Sequence, residues 1–427
     1  MKVTRTDKSP TQVVLVISAD QFDLTTIKDH TLTHFADKVN VPGFRSGTAP
    51  AALVEKYVNH NALADEFIEH ALNQLYGKAI DQEKLRPASK PEVKVKKFIP
   101  YTELEFEAEL EVIGPIKLGD YKKIKAAKKP VDISAKEVED VVKSLQSRAA
   151  ERKAVDRAAK VGDELIIDFK GKGKDGMPIP NTAGKDIDVI LGSYKFVPGF
   201  EDNLVGLKAG DQKEFEITFP KDYGVKTMQS KPVTFSVEVK KVNEVNEPAT
   251  DDAFAAKIGS FKTLAELKAD IKKQLLTEKQ QQADRDYENE IVNSLIDKSE
   301  VTVPKAMVDE QIAAAEEQEK RNLMARGQTW GEHLAEEGVS EEQHRERQRP
   351  DTERRVKGGL ILSEVAEQED VAITQEELQL RIQRLKSQYQ DEKMQAELDN
   401  PDNQRQIAAQ LMTEKTVAKL VDYVTSQ

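Results

Sequence analysis

Three glycines, Gly171, Gly173 and Gly176, have the G-x-G-x-x-G spacing that cradles a phosphate when a strand leads in and a helix starts at once behind. Here Pro178 and Pro180 follow, so a hairpin turn is expected and nucleotide chemistry is not supported. His30 and His34 lie four apart, as metal-ligand pairs on a helix can. No glutamate follows His30 and no third ligand is evident, so they read as surface histidines. The chain has no cysteine, which excludes disulfides, thiolate metal sites and cysteine nucleophiles. It has no G-x-S-x-G run, Walker loop or paired-carboxylate signature. Any catalysis must therefore rest on something other than a nucleophile or a metal, and neither cofactor nor metal is expected.

The most informative short segment is Val41-Pro42-Gly43-Phe44-Arg45-Ser46-Gly47-Thr48-Ala49-Pro50. Two glycines bounded by prolines make a rigid turn with Phe44 and Arg45 at its tip. Two readings stay open: the Phe tucks back into the core of a helix connector, or it is an aromatic anchor beside an arginine, suited to a surface of phosphate and protein.

The elements that carry these residues follow from periodicity. Residues 12–17 read as a strand. Ser18 can cap a helix with apolar positions Leu24, Ile27, Phe35 and Val39, and a second helix runs from Asn61 with Leu63, Phe67, Ala71, Leu75 and Ala79 on one face. Between Tyr101 and Val112 apolar residues alternate with five glutamates, which predicts an antiparallel strand with one wet face. Ser134 and Glu137 form a capping box before an amphipathic helix. Short strands with glycine turns follow, at 164–170, 187–191, 212–218 and 233–241. After Pro248 the chain turns helical, with capping boxes at Thr263/Glu266, Ser340/Gln343 and Thr374/Glu377 and a helix start at Pro304. The apolar stripes there are narrow (Leu267, Ile271 and Leu275; Leu378, Ile382 and Leu385), which predicts extended helices or arms sharing a limited core.

Length and charge agree with this division. At 427 residues about three domains are expected. The net charge of -12 is concentrated in residues 246–427, which carry -13, and this argues against nucleic-acid binding there; residues 119–160 carry +5. The longest apolar run near the start, Val13 to Ile17, is too short for a signal-peptide core or a membrane span, so the expectation is a soluble, cytoplasmic protein with no membrane and no direct DNA binding.

The 41–50 loop resembles the G-F-R-x-G-x-x-P signature of the bacterial trigger factor family of ribosome-associated chaperones, and the order of parts along essentially the whole chain is similar too. The resemblance implies a multidomain α+β architecture: a small α+β ribosome-binding domain (1–115), a basic linker with an amphipathic helix (116–160), a β-rich domain of the FKBP type (161–245) and an extended all-α chaperone domain with arms (246–427). It also implies that the loop, through Gly43, Phe44, Arg45, Ser46 and Gly47, meets the large ribosomal subunit at the exit tunnel. Many members have lysine at the position of Ser46 and often another at that of Thr48. Two phosphate contacts are then missing here, and each should lower the salt slope of ribosome association by about one.

Residues 161–245 are similar to FKBP-type prolyl isomerases in the runs Leu165 to Phe169, Phe196-Val197-Pro198-Gly199-Phe200-Glu201, Gly206 to Asp211, Phe219 to Tyr223 and at Phe235. By that resemblance Phe169, Val197, Phe200, Tyr223 and Phe235 line a proline pocket, with Phe200 as its floor and Ile179 and Phe196 at its rim. Asp188 stands where relatives are usually apolar, an expected alteration of the pocket edge. The implied activity is ATP-independent holding of nascent and unfolded polypeptides in a helical cradle, with cis-trans isomerisation of X-Pro bonds. Met307, Ile312, Leu323, Met324, Leu385 and Met394 are the candidate client contacts, because flexible Met and Leu adapt to varied partners. A homodimer stays open, as do a ribosome-independent holdase with a weak or inactive pocket and an isomerase whose flanking domains merely raise substrate affinity.

Overall fold

The strand predicted at residues 12–17 becomes β2 (Gln12–Ala19), the centre of a four-stranded antiparallel sheet with β1 (Lys2–Ser9), β3 (Glu92–Ile99) and β4 (Glu103–Glu111) in the order β1-β2-β4-β3. This is a computed structural model, describing residues 1–45, 47–173, 176–224 and 228–426, apart from the side chains of Pro180 and Asn181. The chain divides into two units, Met1–Lys128 with Asp284–Gln427, and Lys129–Ala283.

In the first unit, alternation decides which face of the sheet is dry. Val13, Leu15, Ile17 and Ala19 of β2 and Leu104, Phe106, Ala108 and Leu110 of β4 are buried, while the glutamates of β4 stay half exposed. α1 (Gln21–Ala36) and α3 (His60–Glu83) cover that face through Leu24, Ile27, Phe67, Ala71, Leu75 and Ala79, and the short α2 (Ala51–Tyr57) packs its Val54 with Leu32 and Phe35 of α1 and Leu63 of α3. The cap of α1 is Asp20, which accepts from Phe22 and Asp23 N–H, and not Ser18. Ser18 is still in the β2 ladder and donates its hydroxyl to Glu105 at 3.2 Å. Strand β1 carries no apolar alternation in the sequence, and β3 alternates only over Glu92 to Lys96. β3 is a lysine-bearing edge strand, with Val93 and Val95 exposed.

The other helices of this unit come from the second half of the chain: the C-terminal part of α6 (Leu264–Lys298), α7 (Lys305–Ala325), α8 (Trp330–Glu337), α9 (Glu341–Gln368), α10 (Gln375–Lys386), α11 (Glu392–Glu397) and α12 (Pro401–Thr425). Their shared core is small, as the thin stripes predict. Ile291, Leu295 and Ile296 of α6, Ile361, Leu362 and Val365 of α9 and Leu420 of α12 close around Tyr121 and Ile124. The boxes at Ser340/Gln343 and Thr374/Glu377 form as expected. Pro304 is the residue before the first turn of α7. No described helix is long and apolar enough to cross a membrane.

The second unit holds α4 (Ala135–Arg148), α5 (Asp252–Ile258), the first part of α6 and a five-stranded antiparallel sheet. That sheet runs β5 (Glu151–Ala154), β9 (Pro232–Asn246), β6 (Glu164–Lys172), β7 (Pro178–Ile190), with β8 (Gln212–Thr218) also paired to β9. The Ser134/Glu137 box caps α4, whose Val138 and Val142 pack with Phe254, Leu267 and Ile271. The glycine motif is a hairpin between β6 and β7, closed by Gly173 N–H to Met177 O at 2.9 Å and Gly176 N–H to Gly173 O at 2.9 Å.

Candidate functional site

The aromatic residues of the second unit meet because three separate pieces of chain aim them inward. Phe169 comes from β6 and Phe235 from β9, where Phe235 pairs across the ladder with Phe215 of β8. The third piece is the turn Val197-Pro198-Gly199-Phe200, in which Phe200 N–H donates to Val197 O at 2.9 Å and Gly199 has φ of +89°. Proline at the second position and glycine with positive φ at the third are what a type II turn requires. The turn delivers Phe200 into the core with 1% exposure.

Phe200 is the hub of the cluster. Its ring stands edge-on to Phe235 at 5.3 Å, to Phe215 at 5.5 Å and to Phe169 at 5.7 Å, and Phe196 stacks on it at 4.9 Å. These separations suit attractive aromatic pairs. Phe169, Ile179, Phe196, Val197 and Tyr223 are half buried against this core, so they form its accessible margin. Tyr223 leans edge-on to Phe219 at 4.7 Å, which in turn neighbours Phe235 at 6.3 Å. Thus all seven residues expected from the sequence gather around one apolar cluster. Gly184 permits the close approach of Phe169: a Cβ there would lie 2.8 Å from the ring.

The expected alteration at Asp188 does not reach this margin. Asp188 is exposed, and strand alternation turns Ile187 and Val189 toward the core instead. Asp168 is likewise turned to the other face of β6, where it accepts from Lys240 Nζ at 2.8 Å and Asp186 N–H at 2.7 Å.

One positioning residue escaped the sequence reading. Glu201, 5% exposed, accepts from the N–H groups of Gly192, Tyr194, Lys195 and Phe196 and from the Ser193 hydroxyl, at 2.8–3.4 Å. Burial pushes its carboxyl up, but the Tyr194 N–H, the Ser193 hydroxyl and the Phe196 and Lys195 N–H groups outweigh this and hold it below its ordinary value. The carboxylate thereby fixes the segment that carries Phe196. Its position directly after Phe200 was the only local signal.

In the first unit, the 41–50 loop is anchored by buried Val41, and Phe44 is 43% exposed with Arg45 also exposed. Phe44 does not tuck into the core. Gly43 and Gly47 take φ of +86° and +79°, and Ser46 lies outside the described residues.

The expected client contacts separate into two groups. Met324 and Met394 are 69% and 53% exposed, and Met307 and Leu385 are half buried. Ile312 and Leu323 are buried at 3% and 7% exposure, which corrects their expected role as open contacts; α7 spends that face on packing against α9 and α8. His30 and His34 are joined by His70 of α3, with ring centroids 5.0–6.0 Å apart, but the nitrogens of the three do not gather within 4.8 Å.

Three family models match the chain: bacterial trigger factor protein over residues 1–145, FKBP-type peptidyl-prolyl cis-trans isomerase over 155–240, and the bacterial trigger factor C-terminus over 263–422. The trigger factor of Carboxydothermus hydrogenoformans is 32% identical over 91% of this chain and 91% of its own. That of Caldicellulosiruptor bescii is 34% identical over 82% of this chain and 80% of its own. That of Clostridium botulinum is 32% identical over 91% and 90%. A solved structure from work on promiscuous substrate recognition by the trigger factor chaperone covers 99% of this chain at 20% identity with a TM-score of 0.48. With an FKBP-type isomerase module lying between two trigger factor segments, and relatives aligned over 82–91% of the chain, the chain belongs to the trigger factor family of chaperones that bind unfolded polypeptides and carry peptidyl-prolyl isomerase activity.

Proposed function

We propose that Phe169, Val197, Phe200, Tyr223 and Phe235, with Ile179 and Phe196 at the rim, bind the pyrrolidine ring of an X-Pro peptide and speed its rotation. The observation that carries this reading is the aromatic web centred on Phe200, with half-buried residues at its margin. The cis and trans X-Pro forms are close in energy, but a barrier of about 18–20 kcal/mol separates them because rotation breaks amide resonance. A twisted amide has lost that resonance and is less polar than either planar form. A dry apolar cleft therefore favours it over the ground states, and the rate rises by differential binding, with no covalent step. Phe200 is the floor, Phe235 grips the ring beside it, and Tyr223 offers its hydroxyl to the peptide carbonyl.

Proline-limited refolding of a model substrate tests this. Phe200→Ala abolishes the acceleration, but it also opens a cavity costing about 3–5 kcal/mol. Tyr223→Phe leaves the core volume unchanged and lowers the rate through the lost hydroxyl alone. Full acceleration by both variants overturns the pocket.

The remaining parts give the chaperone its place. We infer that it works in the cytoplasm, at the exit tunnel of the large ribosomal subunit, with Gly43, Phe44, Arg45, Ser46 and Gly47 as the docking tip. The exposure of Phe44 on a loop anchored by Val41 supports this. Met324 and Met394, with Met307 and Leu385, hold nascent chains weakly, while the surrounding charge keeps the complex soluble. Co-sedimentation with ribosomes across a salt series checks the tip: a Phe44→Ala/Arg45→Ala double variant is expected in the supernatant at salt where the parent pellets.

A further inference from the structure

Around α8 two histidines face two glutamates, and none of these residues takes part in the proline site or the docking loop. His333 of α8 has its Nε2 buried, 3.4 Å from Glu319 Oε1 and 3.6 Å from Glu337 Oε1, yet it makes no hydrogen bond. His344 of α9 has a side chain only 8% exposed, with Nδ1 3.2 Å from Glu337 Oε2 and Nε2 3.3 Å from Glu319 Oε2. Ligand atoms of His333, Glu337 and His344 all lie within 4.8 Å of one another, the one such group among the described residues.

We infer that His333 Nε2, His344 Nδ1 and the Glu337 carboxylate bind one divalent first-row cation of the zinc or nickel class, tying α8 to the start of α9. Two imidazoles and a carboxylate are the donor set such borderline cations take, leaving a fourth position for water. Metal bonds of about 2.0–2.2 Å in a tetrahedron need donors about 3.4 Å apart. Glu337 already lies 3.6 Å from His333 Nε2 and 3.2 Å from His344 Nδ1, so the remaining closure is of one imidazole toward the other by side-chain rotation. Both ring nitrogens of His344 face carboxylate oxygens, Nδ1 that of Glu337 at 3.2 Å and Nε2 that of Glu319 at 3.3 Å; a cation takes the place of the proton between Nδ1 and Glu337, while Nε2–H stays on Glu319, the arrangement that tunes metal-bound histidines. The Gln348 amide nitrogen lies 2.8 Å from the same Nε2; only with the amide turned over does its oxygen accept that proton beside Glu319. Lys320, the nearby cation, sits over the Trp330 ring at 5.4 Å and pairs with Glu316 and Glu317, outside the donor set.

The chain supplies its own probe. Trp330 is its single tryptophan, with ring centroids 5.5 Å from His333 and 5.1 Å from His344. The full chain, stripped with a chelator, is titrated with nickel chloride and separately with zinc sulfate while Trp330 emission is followed. A saturating change at one equivalent is expected, reversed by the chelator. A His333→Gln/His344→Gln variant no longer responds, and Glu319→Gln binds about tenfold more weakly because its histidine is no longer oriented. Circular dichroism checks the fold of each variant. If the double variant loses helicity, Glu337→Gln, at a part-exposed position, takes its place and must weaken binding too. An emission that responds to neither metal overturns the site, leaving an ion-pair cluster. So does an undiminished response in the folded variants, which moves the signal to other groups such as His30, His34 and His70.

Discussion

Glu201 best shows how a single residue can control the site without touching a substrate. Five donors converge on its carboxylate, and they belong to the segment that places Phe196 over Phe200. Glu201→Gln keeps the shape but replaces one acceptor oxygen by a donor, so at least one backbone N–H is left facing another N–H. The expected cost is about 1–3 kcal/mol. Because the loss falls on the rim, the KM for a prolyl peptide should rise more than kcat falls, and Glu201→Ala should be worse than Glu201→Gln on both counts. Steady-state kinetics of the two variants beside their urea midpoints decides this; equal loss of stability with unchanged KM makes Glu201 a purely structural residue. The apolar members were legible only through the resemblance of the Phe196 to Glu201 run and its neighbours to FKBP-type isomerases, since nothing local distinguishes pocket aromatics from core aromatics. Glu201 was not, since its donors are brought to it only when the segment after β7 folds back.

At the scale of elements, legibility follows the range of the signal. The capping boxes at Ser134, Ser340 and Thr374 were readable because donor and acceptor lie three residues apart, and each forms. The alternation in β4 was readable for the same reason. By contrast β1 presents a mostly polar run whose strand state comes from pairing with β2, the alternation in β3 is only two valines long before Lys96-Lys97 breaks it, and Ser18 looked like a cap because the end of β2 has no local marker. The capping argument gives a quantitative expectation for α4. Ser134 accepts from Glu137 N–H, and Glu137 returns the bond to Ser134 N–H at 3.0 Å while pairing with Lys279 of α6. Ser134→Ala should cost about 1 kcal/mol. Hydrogen exchange at the first turn of α4 is then expected to quicken about fivefold, while exchange in β6 and β9 stays unchanged. Equal acceleration throughout the sheet would mean that the cap stabilises the unit as a whole and not the helix end.

Within the first unit, distant parts of the chain are joined at one carboxylate. Glu369, just past α9, accepts from the Tyr121 hydroxyl at 2.7 Å and the Tyr423 hydroxyl at 2.5 Å, and pairs with Lys122 at 2.8 Å and Lys419 at 3.1 Å. The segment after β4, the end of α9 and the last turns of α12 therefore share one anionic centre. Lys122, then Tyr423 and Tyr121, hold its carboxyl well below the usual carboxylate range, while burial and Glu369 push the Tyr121 hydroxyl up to about 12. The two shifts act in opposite pH windows. A carboxyl whose folded pKa is depressed gives stability that is complete above its unfolded pKa of about 4.3, and loses it as pH falls toward the folded value. A phenol whose folded pKa is raised gives stability complete below about 10, lost as pH climbs toward 12. The first unit should therefore have a plateau of stability between these limits, with an acid limb assignable to Glu369. Glu369→Gln keeps an acceptor for the tyrosines but removes the charge. The variant should lose urea resistance at pH 7 yet show a shallower decline between pH 5 and 3 than the parent, when unfolding is followed by near-ultraviolet dichroism of the tyrosines. Parallel acid limbs in the two proteins would show that other carboxylates, such as Glu316 with its Arg345 and Lys320 partners, set the acid limit instead.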